Sequence, residues 1–378
     1  MNKVAIISHT EHYINKKGEI VGWEPTIREI NHFTSKFKII YHLAPLHLGR
    51  PHRANISYSS DRIIFKPLIP SGGKTLFKKI GIFLVLPINL IRIMRIIYRV
   101  DCIHFRAPTN LGLYVLPLLY FFYRKKIWIK YAGNWKQNSI PLSYKLQRWW
   151  LSKNFNRSFV IINGTWRNQQ THLLSFYNPC LTDDEMNYAN HIGLNKDFSG
   201  LLNICFVGRY GFNKGVNELV ESLLSARGIN FLNEVNLIGL ELADLDEAYQ
   251  NTNSLNINFK GWLSRSQLNE IYAKSHLIIL PTKSEGFPKV IAEAAAFGCI
   301  PVVTNLNPIN QIIFNRENGI LLEKPEVPNI KQVFLNLENK DYDLKSIANS
   351  AIDLSKLFTY KKYFNRIHTE IINGYYKK

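Results

Sequence analysis

The sequence predicts an α/β protein built as two Rossmann-like domains of parallel β-sheet. Three observations carry that expectation. Short apolar runs alternate with helix-length segments along the whole chain, and strands separated by helices of ten or more residues read as the βαβ units of parallel sheets. The length of 378 residues suits two domains at about 100–200 residues each, each long enough to bury its own core. The charge also divides near the middle. Residues 1–190 hold 27 Lys/Arg and 9 Asp/Glu (27 − 9 = +18), whereas residues 191–378 hold 20 and 19 (+1). The expected domains are therefore 1–190 and 195–358.

In the first half, KVAIIS (3–8) opens the chain as a strand. Residues 24–37 read as a helix, with Pro25 favourable in its first turn. KIIYHLA (38–44) and RIIFKPL (62–68) are strand-like, and a long helix is expected over 74–99. The strand DCIHF (101–105), a helix over 110–123, the strand KIWIKY (126–131), a helix over 142–154 and the strand SFVII (158–162) follow. The second half repeats this grammar. LLNICFVG (201–208) leads to a helix over 214–227, VNLIG (235–239) to a helix near 241–250, and LNINFKG (255–261) to a helix whose Ser264 and Gln267 match a capping box. HLIILP (276–281), a helix over 288–297, IPVVT (300–304) and GILLE (319–323) complete the sheet pattern, and helices fill 328–338, 342–357 and 360–373.

Hydrophobic residues make up 46% and charged residues 20%, which excludes a disordered chain. The N-terminal apolar run is only about five residues, too short for a signal-peptide core, so a cytoplasmic setting is expected. Cys102, Cys180, Cys205 and Cys299 are widely spaced within or beside apolar runs. That reads as buried free thiols and predicts neither a zinc site nor a redox pair. The runs 80–91 and 107–123 are uncharged but fall short of the roughly 20 apolar residues of a spanning helix. Lys74, Lys78, Lys79, Arg92, Arg95 and Arg99 surround the first run, a mixture that fits a helix lying on an anionic membrane surface as well as one packed within its domain. The basic half implies an anionic partner.

Two segments carry chemistry. In FVGRYGFNKG (206–215) a strand ends at Gly208, Arg209 follows, and Lys214-Gly215 opens a helix. Two cations then converge with the donors and partial positive charge of a helix N-terminus, an arrangement suited to a diphosphate. In the segment from Ser284 to Asn305, Glu285 lies in a loop after a strand and Glu293 lies within the helix that Pro288 begins. Carboxylates there are acceptors for sugar and ribose hydroxyls, and residues 286–290 present backbone groups to a ligand.

These residues resemble the donor-binding half of family 4-type retaining glycosyltransferases of the GT-B fold (glycosyl transferases group 1). The resemblance rests on Gly208, Arg209, Lys214 and Gly215, then on Glu285, Glu293, Gly298, Pro301 and Val302. It covers 201–323 firmly and the first half only in architecture, plus the Asp101-x-x-His104 strand. It implies two Rossmann-like domains facing across a cleft, with the C-terminal helix 360–378 crossing back to the N-terminal domain. It implies a donor site in which Arg209 and Lys214 bind the diphosphate of a nucleotide-sugar and stabilise the leaving group. Glu285 would hold the donor sugar's hydroxyls with Gly286, Phe287, Pro288, Lys289 and Val290 around it, and Glu293 the ribose. Gly239, Gly261 and Trp262 would line the nucleobase. The implied reaction retains anomeric configuration without a metal, the nucleotide-sugar being substrate rather than cofactor.

The first half departs from the family pattern. Its first loop has isolated Gly18 and Gly22 in place of a glycine pair, and Gly133-Asn134-Trp135 follow the strand 126–131 where many members have a histidine. The acceptor-side candidates are accordingly Gly18, Gly22, His104, Arg106 and Asn134. The implied acceptor is a lipid-linked or surface-polysaccharide precursor of capsule, O-antigen or lipopolysaccharide type, reached at the cytoplasmic membrane face through the basic domain. The alternatives are a sugar epimerase or phosphorylase of the same fold and a basic nucleic-acid-binding protein; nucleic acid is not the expected partner, because no recognised motif for it accompanies the charge.

Overall fold

Parallel pairing dominates both halves of the computed structural model, which describes residues 2–71, 76–137, 140–211, 213–225, 230–245 and 256–374, without the side chains of 76–80, 82 and 83. The chain divides into two units, residues 1–176 together with the segment from Phe364, and Tyr177–Tyr363.

In the first unit the elements are β1 (Lys3–Ile7), β2 (His12–Ile14), β3 (Ile20–Trp23), α1 (Glu24–His32), β4 (Ile39–Pro45), β5 (Asn55–Ser57), β6 (Ile63–Leu68), α2 (Leu76–Ile97), β7 (Cys102–Ala107), α3 (Gly112–Phe122), β8 (Lys126–Asn134), α4 (Leu142–Ser152), β9 (Phe159–Asn163) and β10 (Leu173–Ser175). Seven strands form one sheet in the order β10-β9-β8-β7-β1-β4-β6, with every neighbour parallel. The central strands are covered on both faces, which is why β1 reads as a continuous apolar run from Val4 to Ile7. A second, antiparallel sheet of β2, β3 and β5 sits in the connections. Its strands, of three or four residues, are too short to carry a periodicity, and the sequence pattern does not announce them.

The second unit contains α5 (Asp183–Leu194), β11 (Leu202–Val207), α6 (Val216–Ser225), β12 (Leu232–Ile238), β13 (Ile257–Lys260), α7 (Arg265–Lys274), β14 (Leu277–Leu280), α8 (Lys289–Ala296), β15 (Ile300–Thr304), β16 (Ile320–Leu322), α9 (Val327–Glu338) and α10 (Leu344–Ser355). Its sheet order is β13-β12-β11-β14-β15-β16, again all parallel. The capping box expected at α7 is present, with Ser264 accepting from Gln267 N–H. The helix expected near 241–250 is a single tight turn at Leu242–Asp244, and residues 246–255 lie outside the described residues.

Two boundaries differ from the sequence reading. The second unit begins at Tyr177, ahead of the expected 195, because α5 packs against α8 and α10. Close approach of the two backbone segments, α5 and the end of α8, explains the placement: a Cβ on Gly193 would lie 2.7 Å from the Gly298 nitrogen. The last helix, α11 (Tyr360–Arg366), passes from one unit to the other and continues as a wider turn over Ile367–Ile372. The returning segment from Phe364 completes the first unit. Phe364 meets Phe33 edge-on at 4.8 Å, Lys126 Nζ donates to the Ile372 carbonyl at 2.9 Å, and the Arg366 guanidinium lies 3.9 Å over the Phe176 ring.

Beside β1 and β4 runs a hydrogen-bonded chain of side chains in which Ser8, His12 and His42 are buried and Tyr58 is partly so. His12 Nδ1 lies 2.7 Å from the Thr10 carbonyl, Tyr58 Oη 2.8 Å from His12 Nε2 and 2.6 Å from His42 Nδ1, and His42 Nε2 2.8 Å from Ser8 Oγ. One proton order satisfies all four contacts: His12 Nδ1–H donates to the carbonyl, Tyr58 O–H to His12, His42 Nδ1–H to Tyr58, and Ser8 O–H to His42. Both rings are then neutral, and burial, the main cause, lowers His12 to about 4 and His42 well below the ordinary value of 6.5. Because the folded state binds these protons more weakly than the unfolded state, the stability they support is complete above pH 6.5 and is lost as the pH falls from there toward 4. Urea midpoints should therefore drop between pH 7 and pH 5, and His12→Gln should shallow that drop. An equal slope in the variant would show that other groups cause it.

Candidate functional site

In the second unit the strand order reverses between β11 and β14, with β12 and β13 on one side and β15 and β16 on the other. The connections leaving the carboxyl ends of two such strands part to opposite faces, and the crevice between them is where an open parallel sheet receives ligands. The loops that flank it are 208–215, after β11, and 281–288, after β14. These are the two segments singled out from sequence.

The fold ties them together. The Asn213 carbonyl accepts from Thr282 Oγ1 and from the Lys283 N–H, both at 2.8 Å. Lys214 Nζ forms an ion pair with Glu285 Oε1. Gly215 adopts φ +72°, and a Cβ there would lie 2.0 Å from the Pro281 carbonyl oxygen. Only glycine lets the first loop turn into α6 while resting on the second. Lys214 and Glu285 keep 32% and 21% of their side chains exposed, so both can meet a ligand, and Arg209 is exposed on the same loop.

Glu293 lies in α8, 8% exposed, and pairs with Arg265 Nη1 of α7 at 2.7 Å. Glu185 of α5 lies 3.8 Å from Arg265 Nε. Burial disfavours the guanidinium charge, but the Glu293 and Glu185 carboxylates outweigh it and the net shift holds Arg265 ionised. Sequence reasoning placed Glu293 correctly on the helix and missed this partner. Arg265 follows the capping Ser264 directly, and nothing in the local pattern distinguishes it from an ordinary solvated arginine. A carboxylate has about four lone-pair directions, so Glu293 retains acceptor capacity beside its arginine.

Around these groups the backbone is close-set. Gly239, after β12, has φ +90°, and a Cβ on it would be 2.6 Å from the Gly208 oxygen. Its N–H donates to the Lys260 and Gly261 carbonyls at 2.9 and 3.1 Å. Gly208, Gly239 and Gly261 thus stand in a row across three adjacent strand ends, and Trp262 beside them is half-buried. In the second loop, Gly286, Phe287 and Pro288 are buried and Lys289 and Val290 partly so. The Phe287 ring stacks on Phe358 at 4.7 Å and leaves only its main chain for a ligand. Pro288 caps α8 with no side-chain hydrogen bond.

The first-unit candidates are dispersed by function. Gly18, at φ +80°, forms the tip of the β2–β3 hairpin, where Asn15 Oδ1 accepts from the Lys17 and Glu19 N–H groups. Gly22 makes room for His12, whose Nε2 would lie 2.6 Å from an added Cβ. His104 is fully buried and stacks on Trp128 at 4.9 Å, with burial lowering its pKa well below the ordinary value. This corrects the expectation for His104: its side chain faces the core between α1 and β8 and cannot touch an acceptor. Asp101 accepts from the Asn2 and Lys3 N–H groups and fastens the start of β1. Arg106, at the end of β7, donates to Glu29 Oε1 at 2.8 Å, and Lys130 Nζ reaches both Glu29 oxygens at 2.8 and 2.9 Å. Asn134, at the end of β8, turns its side chain onto the Lys136 N–H. Arg106 and Asn134 stay at strand ends where a ligand can meet them, but the structure gives Arg106 a structural partner that the sequence did not indicate.

Residues 196–353 match the family described as Glycosyl transferases group 1. An uncharacterized glycosyltransferase of Methanocaldococcus jannaschii is 25% identical over 157 residues, 42% of this chain and 44% of the relative. An uncharacterized 41.2 kDa protein in the cps region of Klebsiella pneumoniae is 23% identical over 132 residues, 35% of this chain and 36% of the relative. These alignments span less than half of the relatives' own lengths. Among solved structures, Anabaena Alr3699/HepE in complex with UDP and glucose superposes with a TM-score of 0.66 at 16% identity, covering 99% of this chain and 100% of the other. The shared architecture is the GT-B fold, two Rossmann-like halves with parallel sheets.

Proposed function

We infer that this chain, whose residues 196–353 match the glycosyl transferases group 1 family, transfers a glycosyl group from a nucleotide-sugar to a saccharide or lipid-linked acceptor with retention of configuration. The observation that supports it most is the meeting of Lys214 and Glu285 at the carboxyl ends of the two strands flanking the order reversal. A donor diphosphate there faces Lys214, Arg209 and the amino end of α6, which favour the charge that grows on the leaving group. As it binds, Lys214 exchanges its carboxylate partner for a phosphate, and Glu285 is released to accept hydroxyls of the donor sugar. Glu293, held in place by Arg265, accepts from the ribose, and the row Gly208, Gly239 and Gly261 lets a flat base approach the backbone. No metal is assigned, because the two cations face the diphosphate themselves.

For the acceptor, the reading is supported by the basic first half and by the relative in the cps region of Klebsiella pneumoniae. No described helix is long and apolar enough to cross a membrane. On α2, Leu84, Ile88 and Ile91 are exposed along one face, with Arg95 exposed on the next turn, while Arg92 donates to the Pro67 carbonyl. That face suits peripheral contact with an anionic cytoplasmic leaflet.

A thermal-shift panel of nucleotide-sugars and nucleoside diphosphates tests the reading, since a ligand of the native state raises its stability. At least one should raise the unfolding temperature, and Lys214→Met should weaken that ligand about tenfold or more, the range expected for a charged hydrogen bond. A folded sample indifferent to every donor would overturn the transferase reading, and unchanged affinity in Glu293→Ala would remove that residue's ribose role.

A further inference from the structure

A cavity of about 460 Å³ opens in the first unit between the end of β8, α4 and the loop joining β9 to β10. It is separate in sequence and in unit from the donor residues. Four cations, Lys136, Lys145, Arg148 and Arg167, line it with three indoles, and none of its described lining residues is a carboxylate. An ordinary solvated surface mixes both signs. Here one sign is collected around a concavity, in the size range of small-molecule sites of about 300–1,000 Å³.

The walls are built rather than incidental. Trp166 Nε1 donates to the Asn163 carbonyl at 3.0 Å. Gln169 staples the loop, its Oε1 accepting from the Trp166 N–H at 3.0 Å and its Nε2 donating to the Leu173 carbonyl at 2.7 Å. Asn168 turns the chain with φ +59°, so Arg167 and Trp166 project from a short fixed loop. On the facing side, Arg148 Nη1 donates to the Trp135 and Gln137 carbonyls at 2.7 and 2.9 Å. This holds the guanidinium and the end of β8 together. Trp149, 49% exposed, is braced edge-on by Phe155 at 5.4 Å. Groups fixed in advance lose little freedom on binding.

We propose that this cavity binds an anionic saccharide: a sugar ring carrying a phosphate. The C–H faces of a sugar ring meet the negative faces of indoles, and lysine and arginine donors surround a phosphate with charge-assisted bonds. The site gives part of the basic excess of the first half a specific task.

Tryptophan fluorescence of the full chain provides the test. A hexose 1-phosphate should quench saturably, and a neutral methyl hexoside should not in the same range. The quench should persist in Lys214→Met, which separates this cavity from the proposed donor site. It should weaken about tenfold or more in Lys136→Ala/Arg167→Ala, as expected for lost bonds to a charged group. Displacement of the sugar phosphate by phosphatidate vesicles would assign the same chemistry to a lipid-borne phosphate, and no displacement would assign it to the soluble form. No saturable quench in a folded sample, or a quench abolished by Lys214→Met and untouched by the double variant, would overturn the proposal. Inorganic diphosphate binding as tightly as the sugar phosphate would overturn its saccharide half.

Discussion

Glu29→Ala is expected to cost about 3–5 kcal/mol of stability, the range for removing one partner of a buried ion pair. Glu29 is fully buried, Lys130 is 2% exposed and Arg106 only 12%. Without the carboxylate, the Lys130 ammonium keeps its burial and loses the acceptor for two of its bonds, and Arg106 loses its anion. A triple replacement, Glu29→Leu with Lys130→Met and Arg106→Met, removes all three charges at similar volume and should recover most of the loss, because buried ions exchanged for well-packed apolar groups are often near neutral. Intrinsic fluorescence suits the measurement, since six of the seven tryptophans (Trp23, Trp128, Trp135, Trp149, Trp150, Trp166) lie in the first unit. A Glu29→Ala urea midpoint equal to that of the parent would mean that water or another group compensates Lys130.

Gly215→Ala should be as damaging in the second unit, by about 3 kcal/mol or more. Left-handed backbone costs a residue with a Cβ roughly 1–2 kcal/mol, and here the new methyl also meets the Pro281 carbonyl at 2.0 Å. That oxygen is main chain and cannot swing aside, so relief requires the two ligand loops to separate. The variant should therefore lose nucleotide affinity together with stability. Gly211→Ala in the same loop is the control. A Cβ there has open space within 4 Å, and its effect should stay within about 0.5 kcal/mol. Equal behaviour of the two variants, followed by circular dichroism in urea, would contradict the close packing of the loops.

The sequence shows most clearly what is encoded locally. Strands β1, β11, β14 and β15 are legible because a strand buried on both faces must be apolar throughout. The loops of the proposed donor site are legible because Arg209 and Lys214 stand at a strand end and a helix start, where cations have a distinct meaning. What depends on three-dimensional neighbours stays hidden. Glu29, Arg106 and Lys130 come from α1, β7 and β8 and look like ordinary surface charges in the chain. Arg265 and Glu293 sit on different helices, and His104 is drawn into the core because β7 is a central strand stacked against Phe33 and Trp128. The α5 helix did carry a local signal, the Thr182–Glu185 capping box, but its membership of the second unit is decided by tight contact with α8.

The return of the chain from Phe364 sets an order of assembly during synthesis. The first unit begins with β1 but lacks Phe364 against Phe33 and the Ile372 carbonyl on Lys126 until its last segment is made. Between Phe176 and Phe364 the ribosome adds 363 − 176 = 187 residues, about 10–40 s at roughly 5–20 residues per second. The second unit, whose residues are contiguous, can close in that interval. The half that starts first is therefore the half that is sealed last, and a nascent chain waits with the Phe33 side of its sheet unfinished while the second unit folds.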